Sequence, residues 1–98
     1  METINYTEHL NLRLKIRKIP ENYPELIYNT PDQTFYDSLE DNFIAVKKLK
    51  YNTKLRNMMI AFEKEGKIIN ILTIHPITDE KIRNRMLNKR WIKNEEVI

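Results

Sequence analysis

The chain has no cysteine and a single glycine among its 98 residues. Without cysteine it can form neither disulfides nor zinc-thiolate or iron–sulfur sites, and nothing indicates an oxidising compartment. One glycine, Gly66, cannot supply a glycine-rich phosphate loop, and the G-x-S-x-G and H-E-x-x-H motifs are also missing. The sequence therefore predicts neither a cofactor nor a metal site.

Long hydrophobic stretches are missing as well. Uninterrupted apolar runs are short, and the first ten residues, METINYTEHL, lack a basic segment followed by an apolar one. Neither a membrane-spanning helix nor a secretion signal is expected from this pattern. We therefore expect a cytoplasmic protein without a membrane partner, folded as a single domain over residues 1–98.

Charge is distributed unevenly along the chain. Residues 1–41 contain four Lys and Arg against eight Asp and Glu, a net charge of −4, whereas residues 42–98 contain thirteen against six, a net charge of +7. A basic C-terminal half indicates a polyanionic partner, and the acidic half could serve a basic protein partner. Lysines on exposed strands can also act only as solubilising groups.

Helical signals lie at both ends of the chain. The first predicted helix runs from Asn5 to Ile19, with Thr3 or Asn5 as its N-cap, and stops before Pro20. A second, shorter helix is predicted over residues 21–29. Near the C-terminus, Thr78 precedes two acidic residues and is the expected N-cap of a third helix over residues 79–89.

Apolar and polar residues alternate between the second and third helices. This alternation predicts four strands with turns at Asn52 and Gly66, over Gln33–Asp37, Phe43–Lys50, Leu55–Glu63 and Lys67–Ile74. Their short connections indicate an antiparallel order. The predicted fold is α+β, with two N-terminal helices, a four-stranded antiparallel β-meander and a C-terminal helix packed on the sheet.

The first helix places basic residues on its packing side. His9, Arg13 and Arg17 follow one another at helical spacing, between apolar flanks formed by Leu10, Leu12, Leu14, Ile16 and Ile19. Burying an unpaired guanidinium is unfavourable, so an anion should face these side chains. That anion could be a ligand, or an Asp or Glu of the sheet, and the basic heads could also extend to the rim of the core.

Further basic residues could join the same cleft. On the third helix, Arg83 and Arg90 fall among apolar residues, and the end helices would bring their arginines together if they lay side by side on the sheet. His75 shares a face with Ile69, Ile71 and Thr73 and lies at the end of that strand. It could enter the cleft or act as a hydrogen-bonded structural histidine.

A third basic group surrounds the predicted turn at Asn52. It could follow a phosphate backbone with Tyr51 stacking on a base, or form a solvated hairpin tip. The predicted nucleic-acid contacts are Lys47, Lys48, Lys50, Tyr51, Lys54, Arg56 and Arg90. Trp91 could stack on a base or close the core at the helix end.

Several segments together resemble a known group of enzymes. The helix HLNLRLKIRKIP (residues 9–20), the pair Tyr36-Asp37, the basic meander and TIHPI leading to Arg90-Trp91 look like small toxin-type ribonucleases. The nearest are the RelE and BrnT groups, within the assembly of folds that includes barnase and EndoU. The resemblance implies metal-independent RNA cleavage, often in a toxin–antitoxin pair in which the antitoxin protein covers the active cleft.

The resemblance also implies roles for individual residues. His75 or His9 would act as the base or acid, and Arg13, Arg17 and Arg83 would bind the phosphate. The leading hypothesis is an RNA-binding endoribonuclease of the toxin–antitoxin type. The alternative is a non-catalytic module that binds nucleic acid or protein through the same basic cleft. A third class is an antitoxin-like partner protein, in which Asp or Glu would pair with the inward arginines inside the fold.

Overall fold

One mixed six-stranded sheet organises the chain, with helices on both of its faces. The computed structural model describes residues 2–94. In chain order the elements are β1 (Thr3–Tyr6), α1 (Glu8–Arg17), α2 (Tyr23–Asn29), β2 (Gln33–Asp37), β3 (Asn42–Tyr51), β4 (Lys54–Glu65), β5 (Ile68–Pro76), α3 (Asp79–Leu87) and β6 (Trp91–Lys93). In space the strands follow the order β1-β5-β4-β3-β2-β6. Strands β1 and β5 are parallel, and the other neighbours are antiparallel.

The chain is α+β, but the predicted arrangement of two N-terminal helices, a four-stranded antiparallel meander and a C-terminal helix is wrong. The sheet has six strands, because the segment expected to begin the first helix forms β1 and the segment after α3 forms β6. Both additional strands are short and pair with distant parts of the chain, β1 with β5 and β6 with β2. Their pairing partners, rather than their own alternation, decide their conformation.

Thr7 explains why the first helix begins later than expected. Its side-chain oxygen accepts a hydrogen bond from the backbone N–H of Leu10 at 3.2 Å, so Thr7 is the N-cap in place of Thr3 or Asn5. The same hydroxyl donates to the backbone oxygen of Ile71 at 3.0 Å and ties the start of α1 to β5. The helix ends at Arg17, and Lys18 follows in the left-handed conformation with φ 53°.

Several local predictions are confirmed. Thr78 is the N-cap of α3, since its side chain accepts from the backbone N–H of Lys81 at 3.2 Å. The β3–β4 turn contains Asn52 at φ 51°, and the β4–β5 turn contains Gly66 at φ 59°. Helix α3 stops at Leu87 rather than at residue 89. None of the helices in residues 2–94 is long and apolar enough to cross a membrane.

The sheet separates two hydrophobic cores. Leu10 and Leu14 of α1 and Ile27 of α2 pack with Met58 and Ile60 of β4 on one face, called here the α1/α2 face. The alternate β4 residues, Met59 and Ala61, point the other way and form a smaller core on the α3 face. The other members of this core are Phe35, Ile44, Val46, Ile77, Ile82 and Trp91. The end helices α1 and α3 therefore lie on opposite faces, so the side-by-side arrangement that would bring their arginines together is not formed.

Candidate functional site

A β-bulge determines where His75 points. Thr73 lies opposite Ala61 and Ile71 lies opposite Phe62, so Leu72 is an extra residue in β5 without a direct partner in β4. An extra residue of this kind reverses the alternation of the side chains that follow it. His75 consequently lies opposite Met59 on the α3 face.

Strict alternation predicts a different environment for His75. Ile69 and Ile71 pack in the core of the α1/α2 face, and Ile74 joins them there because of the bulge. The prediction that His75 shares a face with Ile69 and Ile71 is therefore wrong. The bulge moves the histidine from the larger core to the end of β5 on the other face, where it is half-buried.

The hydrogen bond of His75 fixes its tautomer. Its Nδ1 lies 3.0 Å from the backbone oxygen of Pro76. A carbonyl oxygen only accepts, so Nδ1 carries the proton and donates, and Nε2 of the neutral ring keeps its lone pair. An imidazole in this state can accept a proton at Nε2.

Burial and the charges of three cations lower the pKa of His75. Burial has the largest effect, and the charges of Arg17, Arg13 and Lys81 lower the pKa further. The hydrogen bond to Pro76 acts in the opposite direction but is outweighed. His75 is consequently held in its neutral form beside fixed positive charge. We call His75, Arg13, Arg17 and Lys81 the basic cluster.

Helix α1 supplies two members of the basic cluster and is rotated from the predicted orientation. Arg13 and Arg17 are half-buried, whereas His9 is exposed, in contrast to the prediction that all three point inward. Leu12 and Ile16, expected to flank the core, are 53% and 66% exposed. His9 remains connected to the cluster, because Nε of Arg13 donates a hydrogen bond to its Nε2 at 3.2 Å.

The basic cluster has no carboxylate partner within residues 2–94. The ion pairs of the described chain join Lys47 to Asp32, and Arg90 to Asp37 and Glu40. No Asp or Glu of the described chain therefore lies within 4.0 Å of the charged groups of Arg13, Arg17 or Lys81. An internal carboxylate, which the sequence left open as an explanation for the α1 arginines, is not present there.

Arg90, in contrast, pairs with a carboxylate inside the fold. Its Nε lies 3.2 Å from both carboxylate oxygens of Asp37, and Trp91 donates from Nε1 to the same carboxylate at 3.1 Å. Burial alone would raise the pKa of Asp37, but Arg90, the indole and the backbone N–H groups of Leu39 and Glu40 together lower it. Trp91 itself is buried in the α3-face core. This network joins β6 to β2, and it occupies Arg90 with an internal partner.

Helix α3 contributes a different residue from the one predicted. Arg83 is exposed and is not among the cations that lower the pKa of His75. Lys81, which is not among the predicted site residues, does lower the pKa of His75. The signal for it was its position in the first turn, six residues after the histidine. Arg85 packs over the Trp91 ring, with the guanidinium carbon 5.6 Å from the ring centroid.

The residues predicted around the β3–β4 turn divide into two groups. Lys47 donates to the backbone oxygen of Thr30 at 2.8 Å, and the Tyr51 hydroxyl donates to the backbone oxygen of Arg17 at 2.9 Å, so both stabilise the fold. The remaining members are exposed: Lys48, Lys50, Lys54 and Arg56. Lys48 and Arg56 line a surface cavity of about 400 Å³ that also includes Lys81.

Residues that could hold a metal ion do not come together in the described chain. No group of three or more His, Asp or Glu side chains converges within residues 2–94. The chemistry available at His75 is that of a neutral imidazole and the cations of the basic cluster. Such a site can accept a proton and bind an anion.

Comparison with known proteins adds no identification. No family model, curated protein or solved structure matches this chain. The resemblance to small toxin ribonucleases stays a prediction from sequence segments.

Proposed function

We propose that the protein is an RNA-binding, metal-independent endoribonuclease whose active site is the basic cluster. The observation that carries this proposal is a half-buried histidine, protonated at Nδ1, whose pKa is lowered by three cations that have no carboxylate partner in residues 2–94. Unpaired, half-buried guanidinium groups favour an anionic ligand. A phosphodiester supplies the anion, and RNA supplies the adjacent 2′-hydroxyl on which a base can act.

The proposed reaction uses His75 as the general base. Its Nε2 takes the proton of the 2′-hydroxyl, the 2′-oxygen attacks the phosphorus, and the bond from phosphorus to the 5′-oxygen breaks. The departing 5′-oxygen takes a proton from water. The products are a 2′,3′-cyclic phosphate and a 5′-hydroxyl end.

Arg13, Arg17 and Lys81 bind the phosphate in this proposal. Negative charge accumulates on the phosphoryl oxygens as the 2′-oxygen attacks, and fixed cations stabilise the charge where it develops. Arg13 and Arg17 belong to α1 and Lys81 to α3, and the positive charges of all three act on His75. These cations also keep His75 neutral, and therefore active as a base, at physiological pH.

The toxin–antitoxin part of the proposal rests on the resemblance of the sequence segments. A toxin of this kind acts on cytoplasmic RNA and is inhibited when an antitoxin protein covers its active site. Acidic side chains of an antitoxin could pair with Arg13, Arg17 and Lys81, for which residues 2–94 provide no carboxylates.

Incubation with RNA of mixed sequence in EDTA tests this function. We expect wild-type protein to shorten the RNA and His75→Ala to leave it intact while still binding it. Arg13→Ala should weaken both cleavage and binding. If the wild type leaves the RNA intact but binds it in a mobility-shift assay, and Arg13→Ala abolishes that binding, the protein is a non-catalytic binding module and not a nuclease. Absence of both cleavage and binding would overturn the proposal.

A further inference from the structure

A surface cavity lies between the β3–β4 hairpin and the start of α3. It has a volume of about 400 Å³. Two hydrogen bonds connect its walls. The backbone N–H of Ile77 donates to the backbone oxygen of Asn57 at 2.9 Å, and Nδ2 of Asn57 donates to Oδ1 of Asp79 at 2.7 Å. These bonds hold the segment that leads from β5 into α3 against β4, so the cavity is a fixed feature of the fold.

Three cations from three different elements line this cavity. Lys48 belongs to β3, Arg56 to β4 and Lys81 to α3. None of these cations forms an ion pair within residues 2–94. The lining includes one carboxylate, that of Asp79, which accepts the hydrogen bond of Asn57. The cavity therefore has an excess of positive charge, which favours an anionic ligand.

An exposed leucine lies among these cations. Leu55 lines the cavity, is 72% exposed and belongs to neither hydrophobic core. Pro76 and Ile77 add further apolar surface to the lining. Apolar surface that is exposed to water gains free energy when an apolar group covers it. A ligand with both an anionic group and an apolar surface therefore matches the whole lining.

A nucleotide combines these two properties. Its phosphate is anionic, and the faces of its base pack on apolar side chains. Pockets for small ligands have volumes of about 300–1,000 Å³ and combine apolar walls with a few polar groups, as this cavity does. The cavity also adjoins the proposed active site, because Pro76 of its lining follows His75 in the chain and accepts the hydrogen bond of His75 Nδ1 at 3.0 Å.

We infer that the cavity binds one nucleotide of single-stranded RNA, with its phosphate against Lys48 and Arg56 and its base against Leu55. The inference rests on the RNA binding of the proposed function but not on cleavage. All four bases have apolar faces, so the site binds a nucleotide without selecting its base.

Binding of an uncleavable RNA tests the two cations. The probe is a fluorescein-labelled 2′-O-methyl octamer of uridine, and the readout is fluorescence anisotropy. We expect Lys48→Gln/Arg56→Gln to bind the octamer about tenfold more weakly than the wild type. The slope of log K against log salt should fall by about two, one for each phosphate contact that is lost.

Lys50→Gln/Lys54→Gln is the matched control. It removes the same charge from the same hairpin, and both side chains are exposed and lie outside the cavity. We expect its affinity for the octamer to stay within about threefold of the wild type. Equal losses in the two double variants would show that only the total charge of the hairpin matters, and would contradict the inference.

The base contact is tested at Leu55. We expect Leu55→Ser to weaken binding of the octamer about fivefold, because the base loses its apolar partner. Leu87→Ser is the control, since Leu87 is 73% exposed at the end of α3 and does not line the cavity. Its affinity should equal that of the wild type. An equal effect of both substitutions, or no effect of Leu55→Ser, would overturn the base contact.

A measurement on the wild type alone does not depend on the folding of any variant. Uridine 3′-monophosphate should shift the methyl resonances of Leu55 in NMR spectra, and inorganic phosphate at the same concentration should leave them in place. Methyl resonances that do not move with the nucleotide, or that move equally with phosphate, would overturn the inference.

The length of the ligand separates RNA from a free nucleotide. The octamer should bind at least about tenfold more tightly than uridine 3′-monophosphate, because neighbouring nucleotides of the same strand also contact the protein. Equal affinities would assign the cavity to free nucleotides and overturn the inference.

The outcomes also separate this inference from the proposed function. Binding of the octamer that is weakened by Arg13→Gln but not by Lys48→Gln/Arg56→Gln would support the RNA site at the basic cluster and overturn the cavity. Binding that is weakened by Lys48→Gln/Arg56→Gln, in a protein that leaves cleavable RNA intact, would support the cavity and overturn the nuclease. Failure of the wild type to bind the octamer would overturn both.

Discussion

Nδ1 of His75 donates a hydrogen bond to the backbone oxygen of Pro76 at 3.0 Å. Because this bond occupies one ring nitrogen with its proton, the other nitrogen remains a proton acceptor. The β-bulge at Leu72 turns the ring towards the α3 face, and the cations of the basic cluster disfavour its protonated form. Local backbone geometry and charge thus determine together what His75 can do.

The cations should be measurable through the titration of His75. We expect Arg17→Gln and Arg13→Gln each to raise the pKa of His75, since each removes a positive charge that disfavours the imidazolium. The measurement is an NMR titration of the His75 ring, in which the neutral form should also show the tautomer protonated at Nδ1. Lys93→Gln, at the opposite edge of the sheet, should leave the titration unchanged. An unchanged pKa in both arginine variants would contradict the cluster.

The buried carboxylate of Asp37 should stabilise the fold at neutral pH. Asp37→Asn leaves Arg90 without its charged partner and weakens several hydrogen bonds, so we expect the free energy of unfolding to fall by about 2 kcal/mol. Glu40→Gln should change stability by less than about 0.5 kcal/mol, because Glu40 is exposed and 4.0 Å from Arg90. Chemical denaturation at neutral pH measures both.

The same residue predicts a dependence of stability on acid. The pKa of Asp37 is lower in the folded than in the unfolded protein, so the unfolded state binds more protons between the two values. The stabilisation is present above the unfolded pKa of about 4 and is lost as the pH falls through the folded pKa. Below about pH 4 the wild type should therefore lose stability more steeply than Asp37→Asn. Parallel curves for the two proteins would contradict this assignment.

The position of the first helix can be tested at its N-cap. Thr7→Ala removes the hydrogen bond to the N–H of Leu10 and the bond to Ile71, and should lower the free energy of unfolding by about 1–2 kcal/mol. Thr7→Ser retains the hydroxyl and should recover most of this loss. Thr3→Ala changes an exposed residue and should have an effect below about 0.5 kcal/mol. A larger effect at Thr3 than at Thr7 would favour the N-cap expected from the sequence.

The salt dependence of RNA binding reports the phosphate contacts of α1. If Arg13 and Arg17 each contact a phosphate, the double variant Arg13→Gln/Arg17→Gln should reduce the slope of log K against log salt by about two. The measurement is anisotropy of a labelled octamer at several salt concentrations. Lys93→Gln removes one positive charge at the far edge of the sheet and should preserve the slope. An unchanged slope in the double variant would place the RNA elsewhere on the surface.

Local patterns were sufficient for much of the sheet. The four longer strands lie close to their predicted bounds, and Asn52 and Gly66 occupy the turns that their conformational preferences favour. Residues 3–6 and 91–93 could not be assigned in this way, since each forms a short strand only by pairing with a distant one.

The candidate site was predictable only in part. Residue type and spacing identified Arg13, Arg17 and His75 as candidates. The face on which His75 lies depends on the bulge at Leu72, and no glycine or other turn-forming residue there indicates a bulge. The partner of Arg90 was equally hidden, because its pairing with Asp37 joins residues 53 positions apart. The charge of Lys81 lowers the pKa of His75 only because the fold positions α3 relative to β5, which the sequence pattern of α3 alone does not show.

The chemical identity of the RNA ends tests the central claim most directly. Wild-type protein in EDTA should convert RNA to fragments with 2′,3′-cyclic phosphate and 5′-hydroxyl ends, identified by mass spectrometry. His75→Ala should form them at least about a hundredfold more slowly, and 2′-O-methyl RNA should remain intact. Fragments with other ends, or equal rates for the wild type and His75→Ala, would contradict the assignment of His75 as the base.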